Sequence, residues 1–190
     1  MAKKFLKTII STGMIAASVL ALSGCATKSA ANKGNTAGST IKIGVNMELS
    51  GAVAGYGEQE KQGVELAVKQ INAAGGIKVG NSKKKITAIY RDNKSSTSGA
   101  ASVAAQLANS DKAVAIVGPA TTNDGTASIP NVTKAGVPMV GPSATDPNFT
   151  LQKNGSVQKY VFRACFTDAF QGEKAAVFAN DTLKAKNIAI

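Results

Sequence analysis

Hydrophobic and polar positions along this chain change repeatedly between a spacing of two residues and a spacing of three to four. Alternating β-branched and polar residues predict a first strand over residues 41–47, and apolar residues on one helical face predict a helix over 57–72. The cycle recurs, with predicted strands over 86–91, 113–117 and 137–140 and predicted helices over 96–109 and 125–134. This alternation is typical of right-handed βαβ units. We therefore expect an α/β fold, a parallel sheet with helices on both faces.

The first 25 residues have the pattern of an export signal. Three lysines precede an apolar run over residues 8–22, which is shorter than the ~20 residues of a transmembrane helix. Cys25 directly follows Leu-Ser-Gly and resembles the bacterial lipobox, which implies cleavage before Cys25 and lipid attachment to its thiol. A plain secretory cleavage site is the alternative. We predict a signal peptide over residues 1–24, and a lipidated cysteine with a flexible tether over 25–40.

Composition removes several classes of function. The chain has 190 residues, 44% of them hydrophobic and 17% charged, which is the balance of a globular protein. It contains no histidine and two distant cysteines, so we expect no His-dependent catalytic relay, no Cys-x-x-Cys redox pair, no metal and no cofactor. The formal charge is +11, but the lysines are spread without interleaved aromatic residues. We therefore expect no nucleic-acid binding, and a solvated turn at the one cluster, residues 83–85.

Three segments rich in glycine, serine and threonine follow predicted strands, where parallel α/β sheets bind their ligands. They cover residues 48–57, 118–125 and 141–147. The second segment also opens a helix, whose N–H groups and dipole favour an anion such as a carboxylate. Taken one at a time, Ser50, Thr122 and Thr145 could each be a helix cap as readily as a ligand contact. Their occurrence at one edge of the sheet favours a binding site.

Catalytic and nucleotide-binding alternatives fit less well. Gly55-Tyr56-Gly57 begins like a dinucleotide fingerprint, but Glu60 replaces the third glycine and the glycines come too late after the strand. A carboxylate-based hydrolase would need two acids at one cleft, for which Asp124 and Asp146 are the candidates. Helix capping explains Asp124, and a turn explains Asp146. We therefore expect a protein with no catalytic residue; an adhesive surface lipoprotein is a further alternative.

The segments 50–60, 63–68 and 71–77, with Phe162-Arg163 and residues 168–172, resemble the leucine/isoleucine/valine-binding proteins of ABC importers. The resemblance extends over residues 41–190 and implies two periplasmic binding protein-like type I lobes that close on a ligand by a hinge. It implies a first lobe over 41–163 and the start of a second over 164–190, with a helix near 168–184 and a strand at 187–190. We accordingly expect an N-terminal fragment with a truncated second lobe and weak ligand binding when isolated.

The resemblance also implies which residues contact the ligand. They are Tyr56, Ala120, Thr121, Thr122, Ser143, Ala144 and Thr145. Thr122 would bind the ligand α-carboxylate. Ser143 and Thr145 take the positions that bind the α-ammonium and α-carboxylate, with Ala144 contributing main chain. Tyr56 would form a wall of the side-chain pocket, which Ala120 and Thr121 would line.

The function implied is that of an exported substrate-binding lipoprotein, anchored by Cys25 on the outer face of the cytoplasmic membrane. It would act as a monomer that captures a branched-chain or other small apolar amino acid and delivers it to ABC permease transmembrane subunits. Two alternatives stay open. The same fold could bind an amide, urea or an aromatic acid, or it could serve as a sensory ligand-binding domain. A disulfide of some members is missing, with Lys94 and Thr121 at its positions. Cys165 is expected to be a small buried apolar residue.

Overall fold

The centre of the sheet is strand β1 (Thr40–Met47), in a computed structural model that describes residues 40–189. The other strands are β2 (Ile77–Val79), β3 (Ser82–Asp92), β4 (Ala115–Val117), β5 (Met139–Gly141) and β6 (Val161–Arg163). Their order across the sheet is β2-β3-β1-β4-β5-β6. All neighbouring pairs are parallel except β2 and β3. The chain thus adds β3 on one side of β1 and β4 on the other, which places a topological switch point between β1 and β4.

Helices cover both faces of the sheet, as predicted. Helix α1 (Ala54–Ala73) lies on one face, where its Val64 packs against Val45 and Met47 of β1. Helices α2 (Thr97–Asn109) and α3 (Thr122–Ala135) lie on the other. There Leu107 of α2 occupies the space beside Gly44, so that a Cβ at Gly44 would lie 3.0 Å from the Leu107 side chain. Burying apolar side chains of this size contributes about 1.5–3 kcal/mol each.

Local chemistry sets the ends of these helices. The Ser96 hydroxyl accepts a hydrogen bond from the Gly99 N–H at 3.0 Å and caps α2, and the Thr121 hydroxyl caps α3. Gly136, with φ of 67°, ends α3 in the left-handed conformation that glycine adopts easily. Helix α1 has no side-chain cap and begins at Ala54, before the predicted residue 57.

The sheet differs from the prediction at its edges. Strands β2 and β3 form an antiparallel hairpin around Gly80, so the lysines at 83–85 lie in a strand and not in a turn. All three residues of β2 are exposed, so β2 lacks the buried apolar positions that mark β1. Strand β6, which has three residues, was not predicted either. The sheet is therefore mostly parallel rather than purely parallel.

The last described residues form less regular structure than expected. Helix α4 (Asp168–Val177) is followed by a π-helical turn (Phe178–Thr182), so the helical region ends before residue 184. Residues 187–189 form no strand in the described part of the chain. A strand needs a neighbour with which its backbone groups can pair, and none of the six strands of the sheet pairs with this segment. The predicted boundary between lobes at residues 163 and 164 stays a prediction.

The signal peptide, the lipidated Cys25 and nearly all of the tether are predicted for residues 1–39, outside the described residues. Thr40, the predicted end of the tether, is the first residue of β1. Among the helices of residues 40–189, none has the length and apolar character needed to cross a membrane.

Candidate functional site

Three loops at the carboxyl ends of β1, β4 and β5 surround a cleft of about 550 Å³. Six of the seven predicted contact residues line it: Tyr56, Ala120, Thr121, Thr122, Ser143 and Thr145. The cleft lies at the switch point of the sheet, where parallel α/β folds bind ligands. Its volume is in the usual range of small-molecule sites, about 300–1,000 Å³.

Ala144 is the predicted contact that does not line the cleft. It is fully buried, and a Cβ at Gly141 would lie 3.0 Å from its methyl group. Its carbonyl oxygen accepts a long hydrogen bond from Arg163 at 3.5 Å. The side chain of Ala144 thus packs into the protein while the residues on either side of it face the cleft.

Ser50 also lies outside the cleft. Its hydroxyl donates to Asp92 at 2.6 Å, and its carbonyl accepts from the Ser95 hydroxyl at 2.7 Å. Burial acts to raise the pKa of Asp92, but hydrogen bonds from Ser50 and from the N–H groups of Lys94 and Leu49 outweigh it and lower that pKa. Ser50 therefore joins the loop after β1 to the end of β3.

Four residues that were not predicted complete the lining: Cys165, Phe166, Asp168 and Gln171. They follow β6, and because β6 was not predicted, no strand end pointed to them. Cys165 is half-buried beside the cleft rather than a buried core residue, and burial raises the pKa of its thiol. The Asp168 N–H donates to the Thr145 carbonyl at 3.0 Å, which joins the start of α4 to the loop after β5.

Glu48 is the residue that determines which donors the loop after β4 offers. It is fully buried and accepts hydrogen bonds from the N–H groups of Ala120 at 3.0 Å and Thr121 at 3.1 Å. The Thr121 hydroxyl also donates to it, at 3.2 Å. The sequence feature that could have identified Glu48 is its position: it is an acid directly after the predicted strand over residues 41–47.

The donors that remain for an anion belong to the first turn of α3. The N–H groups of Thr122 and Asn123 have no acceptor within the helix, because the first N–H groups of any helix lack one. The Thr122 hydroxyl oxygen accepts from the Asp146 N–H at 3.4 Å, which leaves its own proton free to be donated. Thr122 is therefore the one predicted threonine at this helix start whose hydroxyl proton is available, since that of Thr121 goes to Glu48.

Asp124 lies against Glu48 and is nearly fully buried. Burial, together with the neighbouring Glu48 carboxylate, raises the pKa of Asp124 to about 6. Asp146, its suggested hydrolytic partner, accepts from the Asn148 N–H at 2.7 Å and lines a different cavity. The two aspartates therefore do not face one cleft, and neither lines the candidate site.

Ser143 is held from the opposite side by helix α1. Its hydroxyl donates to Glu60 Oε1 at 2.5 Å, while the other oxygen of Glu60 is buried with no hydrogen-bond partner. Burial raises the pKa of Glu60, and the Ser143 hydrogen bond acts in the opposite direction. Donors at the start of α3 and an acceptor-rich hydroxyl at Ser143 thus lie in the same cleft. This arrangement can bind a small molecule that carries both an anionic and a cationic group.

A second cavity, about 540 Å³, lies between α1 and the sheet. It is lined almost entirely by hydrocarbon, including Ile43, Ile86 and Val117 of the sheet and Val64 and Ile71 of α1. Glu60 is the one charged residue in its lining. With so few polar groups to orient a ligand, this groove fits a small polar molecule less well than the cleft does. Across residues 40–189, no three His, Cys, Asp or Glu side chains come together as a metal site.

Comparisons with known proteins agree with the fold. The family model of the periplasmic binding proteins matches residues 40–190. A Leu/Ile/Val-binding protein homolog of Brucella melitensis is 35% identical over 150 residues, which cover 79% of this chain and 38% of that protein.

Two solved structures show the same architecture. The branched-chain amino acid transporter substrate binding protein LivJ of Streptococcus pneumoniae, in complex with isoleucine, is 46% identical with a TM-score of 0.68, covering 76% of this chain and 39% of that one. A solute binding protein of an ABC transporter from Rhodopseudomonas palustris, in complex with 3,4-dihydroxy benzoic acid, is 28% identical with a TM-score of 0.58, covering 68% and 33%. This chain thus spans less than half the length of these proteins. Its strand order and these matches together show that it belongs to the periplasmic binding proteins of type I, in the family that includes the leucine/isoleucine/valine-binding proteins.

Proposed function

We propose that this chain is part of a non-enzymatic, extracytoplasmic substrate-binding lipoprotein of an ABC importer. Its ligand is a branched-chain or other small apolar amino acid, which it captures between two lobes and delivers to the permease transmembrane subunits. The protein acts as a monomer, is anchored through lipid at Cys25 on the outer face of the cytoplasmic membrane, and binds no nucleic acid.

The observation that carries this proposal is the convergence of six predicted residues on one cleft. The free amino acid is a zwitterion, which needs donors for its carboxylate and acceptors for its ammonium. Thr122 and the N–H groups at the start of α3 supply the donors, and Ser143 supplies an acceptor. Tyr56, whose surface is 61% exposed, provides an aromatic wall for an apolar side chain. The relatives named above support this ligand class, because one of them was solved with isoleucine.

The test is a thermal-shift screen of the gene product at its full encoded length, against the twenty amino acids, short amides, urea and aromatic acids. A ligand at ~100 times its Kd adds about 2.7 kcal/mol to the free energy of unfolding, which gives a resolvable shift. We expect the melting temperature to rise with leucine, isoleucine or valine. A screen in which no amino acid raises it would overturn the proposal.

A matched pair of variants on α3 tests the site itself. Thr122 lines the cleft, whereas Thr126, one turn later, is exposed and lines another cavity. Loss of a hydrogen bond to a charged group weakens binding by about 10-fold or more, so we expect that loss for Thr122→Ala. Thr126→Ala should leave the Kd of the amino acid within about 2-fold, a change below one ordinary hydrogen bond.

An aromatic acid is the second candidate ligand. Phe166, 51% exposed, lines the cleft with Tyr56, so two aromatic rings face the same space. The relative solved with 3,4-dihydroxy benzoic acid has the same fold. A melting-temperature rise with benzoic acids and none with amino acids would select this alternative.

A further inference from the structure

We infer that Glu60 is a positioning residue for recognition of the ligand's ammonium group, and that it acts through the Ser143 hydroxyl. This inference rests on the proposed function. Glu60 lies on α1 one turn after Tyr56, but unlike Tyr56 and Ser143 it does not line the cleft. Its contact with the site is the 2.5 Å hydrogen bond from Ser143.

The direction of that hydrogen bond decides what Ser143 can offer a ligand. A serine hydroxyl has one proton and two lone pairs, and an ionised carboxylate can only accept. When the proton of Ser143 is donated to Glu60, only lone pairs remain for the cleft. An ammonium group has donors and no acceptor, so it pairs with a hydroxyl oriented in this way. Without Glu60 the hydroxyl would be free to rotate and present its proton.

The surroundings of Glu60 favour a functional role over a structural one. Its Oε2 atom is buried without a partner, and its side chain borders the hydrocarbon groove beneath α1. An apolar residue would fill that position at lower cost, because a buried carboxylate oxygen without a hydrogen bond is destabilising. A negative charge there instead strengthens the acceptor character of Ser143, since hydrogen bonds in sequence polarise one another.

The other acids near the cleft define the alternatives. Asp168 lines the cleft directly, and Glu48 is occupied by the loop after β4. If Asp168 alone recognised the ammonium group, Glu60 would have no effect on ligand choice. The experiment therefore compares Glu60 and Asp168 with Glu58, a control acid on the same helix as Glu60.

The experiment measures the Kd of the full encoded protein for L-leucine and for L-2-hydroxy-4-methylpentanoate, which carries a hydroxyl in place of the ammonium. We expect Glu60→Gln to raise the Kd of leucine about 10-fold, which is the effect of one charge-assisted hydrogen bond. The Kd of the hydroxy acid should rise less than about 2-fold. The hydroxy acid is less sensitive because its hydroxyl can both donate and accept. The control is Glu58→Gln, which removes an exposed acid paired with Lys61 and should change neither Kd.

Ser143→Ala gives the same comparison if Glu60→Gln does not fold, because it removes the hydroxyl through which Glu60 acts. Equal losses for both ligands in these variants would overturn the assignment, as would a selective loss in Asp168→Asn with none in Glu60→Gln. In each of those cases the unmodified protein still binds leucine and the proposed function stands. Absence of leucine binding by the unmodified protein would overturn the proposed function and this assignment with it.

Discussion

Single buried polar residues help to organise this fold alongside its apolar core. Asn46 of β1 is fully buried and donates to the Ala100 carbonyl of α2 at 3.0 Å, and it accepts from Asn93 at 3.2 Å. Glu48, two residues later, binds the loop before α3. Buried polar groups are costly unless they are paired, so these contacts specify one arrangement of the strand ends.

Asp124 gives a testable pH dependence. Its pKa is raised from 3.8 to about 6 in the folded protein, so the folded state binds its proton more tightly than the unfolded chain does. The resulting stabilisation is complete below pH 3.8 and is lost as the pH rises through about 6. Asp124→Asn has no such titration. We therefore expect the wild type to lose stability relative to Asp124→Asn between these pH values, by about 2–3 kcal/mol, the free-energy equivalent of a shift of this size.

The measurement is urea unfolding of both proteins at several pH values from 4 to 7. The contribution of Asp92, whose pKa is lowered, is present in both proteins and cancels in the difference. A difference in unfolding free energy that stays constant over this range would contradict the prediction.

At the scale of elements, the sequence predicted the long, periodic helices and strands and missed two of the short strands. Helices α1 to α3 and strands β1 and β3 have enough residues for their spacing to identify them. Strands β2 and β6 have three residues each; β2 is fully exposed, and β6 pairs with β5 across a long intervening loop. The cleft was predicted where strand ends were predicted. The side of the cleft formed by Cys165, Phe166, Asp168 and Gln171 was missed, because these residues follow the unpredicted strand β6.

Contacts between residues far apart in the sequence could not be predicted from the hydrophobic pattern either. Nothing in the spacing of Glu48 and Ala120, or of Glu60 and Ser143, shows that these pairs touch. The sequence therefore indicated which residues face the cleft, whereas their partners came from the structure.

Two glycines in α1 provide a comparison within one element. A Cβ at Gly57 would collide with the Glu48 backbone, whereas a Cβ at Gly63 would meet nothing within 4 Å. We expect Gly57→Ala to lower the free energy of unfolding by about 1–3 kcal/mol, because the helix would have to move from the end of β1. Gly63→Ala should raise it by about 0.5–1 kcal/mol through helix propensity. Chemical denaturation measures both changes, and equal effects of the two substitutions would show that α1 does not pack closely at Gly57.

At the scale of the whole molecule, the proposed location depends on the start of the chain. The two cysteines allow a matched test of the anchor, since Cys25 follows the predicted signal peptide and Cys165 lies beside the cleft. We expect Cys25→Ala to move the protein from the membrane fraction of the host cell to the medium or the periplasm, because the acylated thiol is lost. Cys165→Ala should leave it in the membrane fraction. Retention of the Cys25→Ala protein in membranes would show that another segment anchors it.

The contact between Glu48 and the loop after β4 has a consequence for how such proteins diversify. The Glu48 carboxylate that fixes the loop is buried and does not line the cleft, whereas Tyr56, Thr122 and Thr145 line the cleft and are at least partly exposed to solvent. Mutations can therefore exchange the residues that a ligand meets without disturbing those that give the loop its shape. A lineage built on this scaffold can acquire new ligands by small, individually tolerated steps, and selection can act on ligand choice separately from folding.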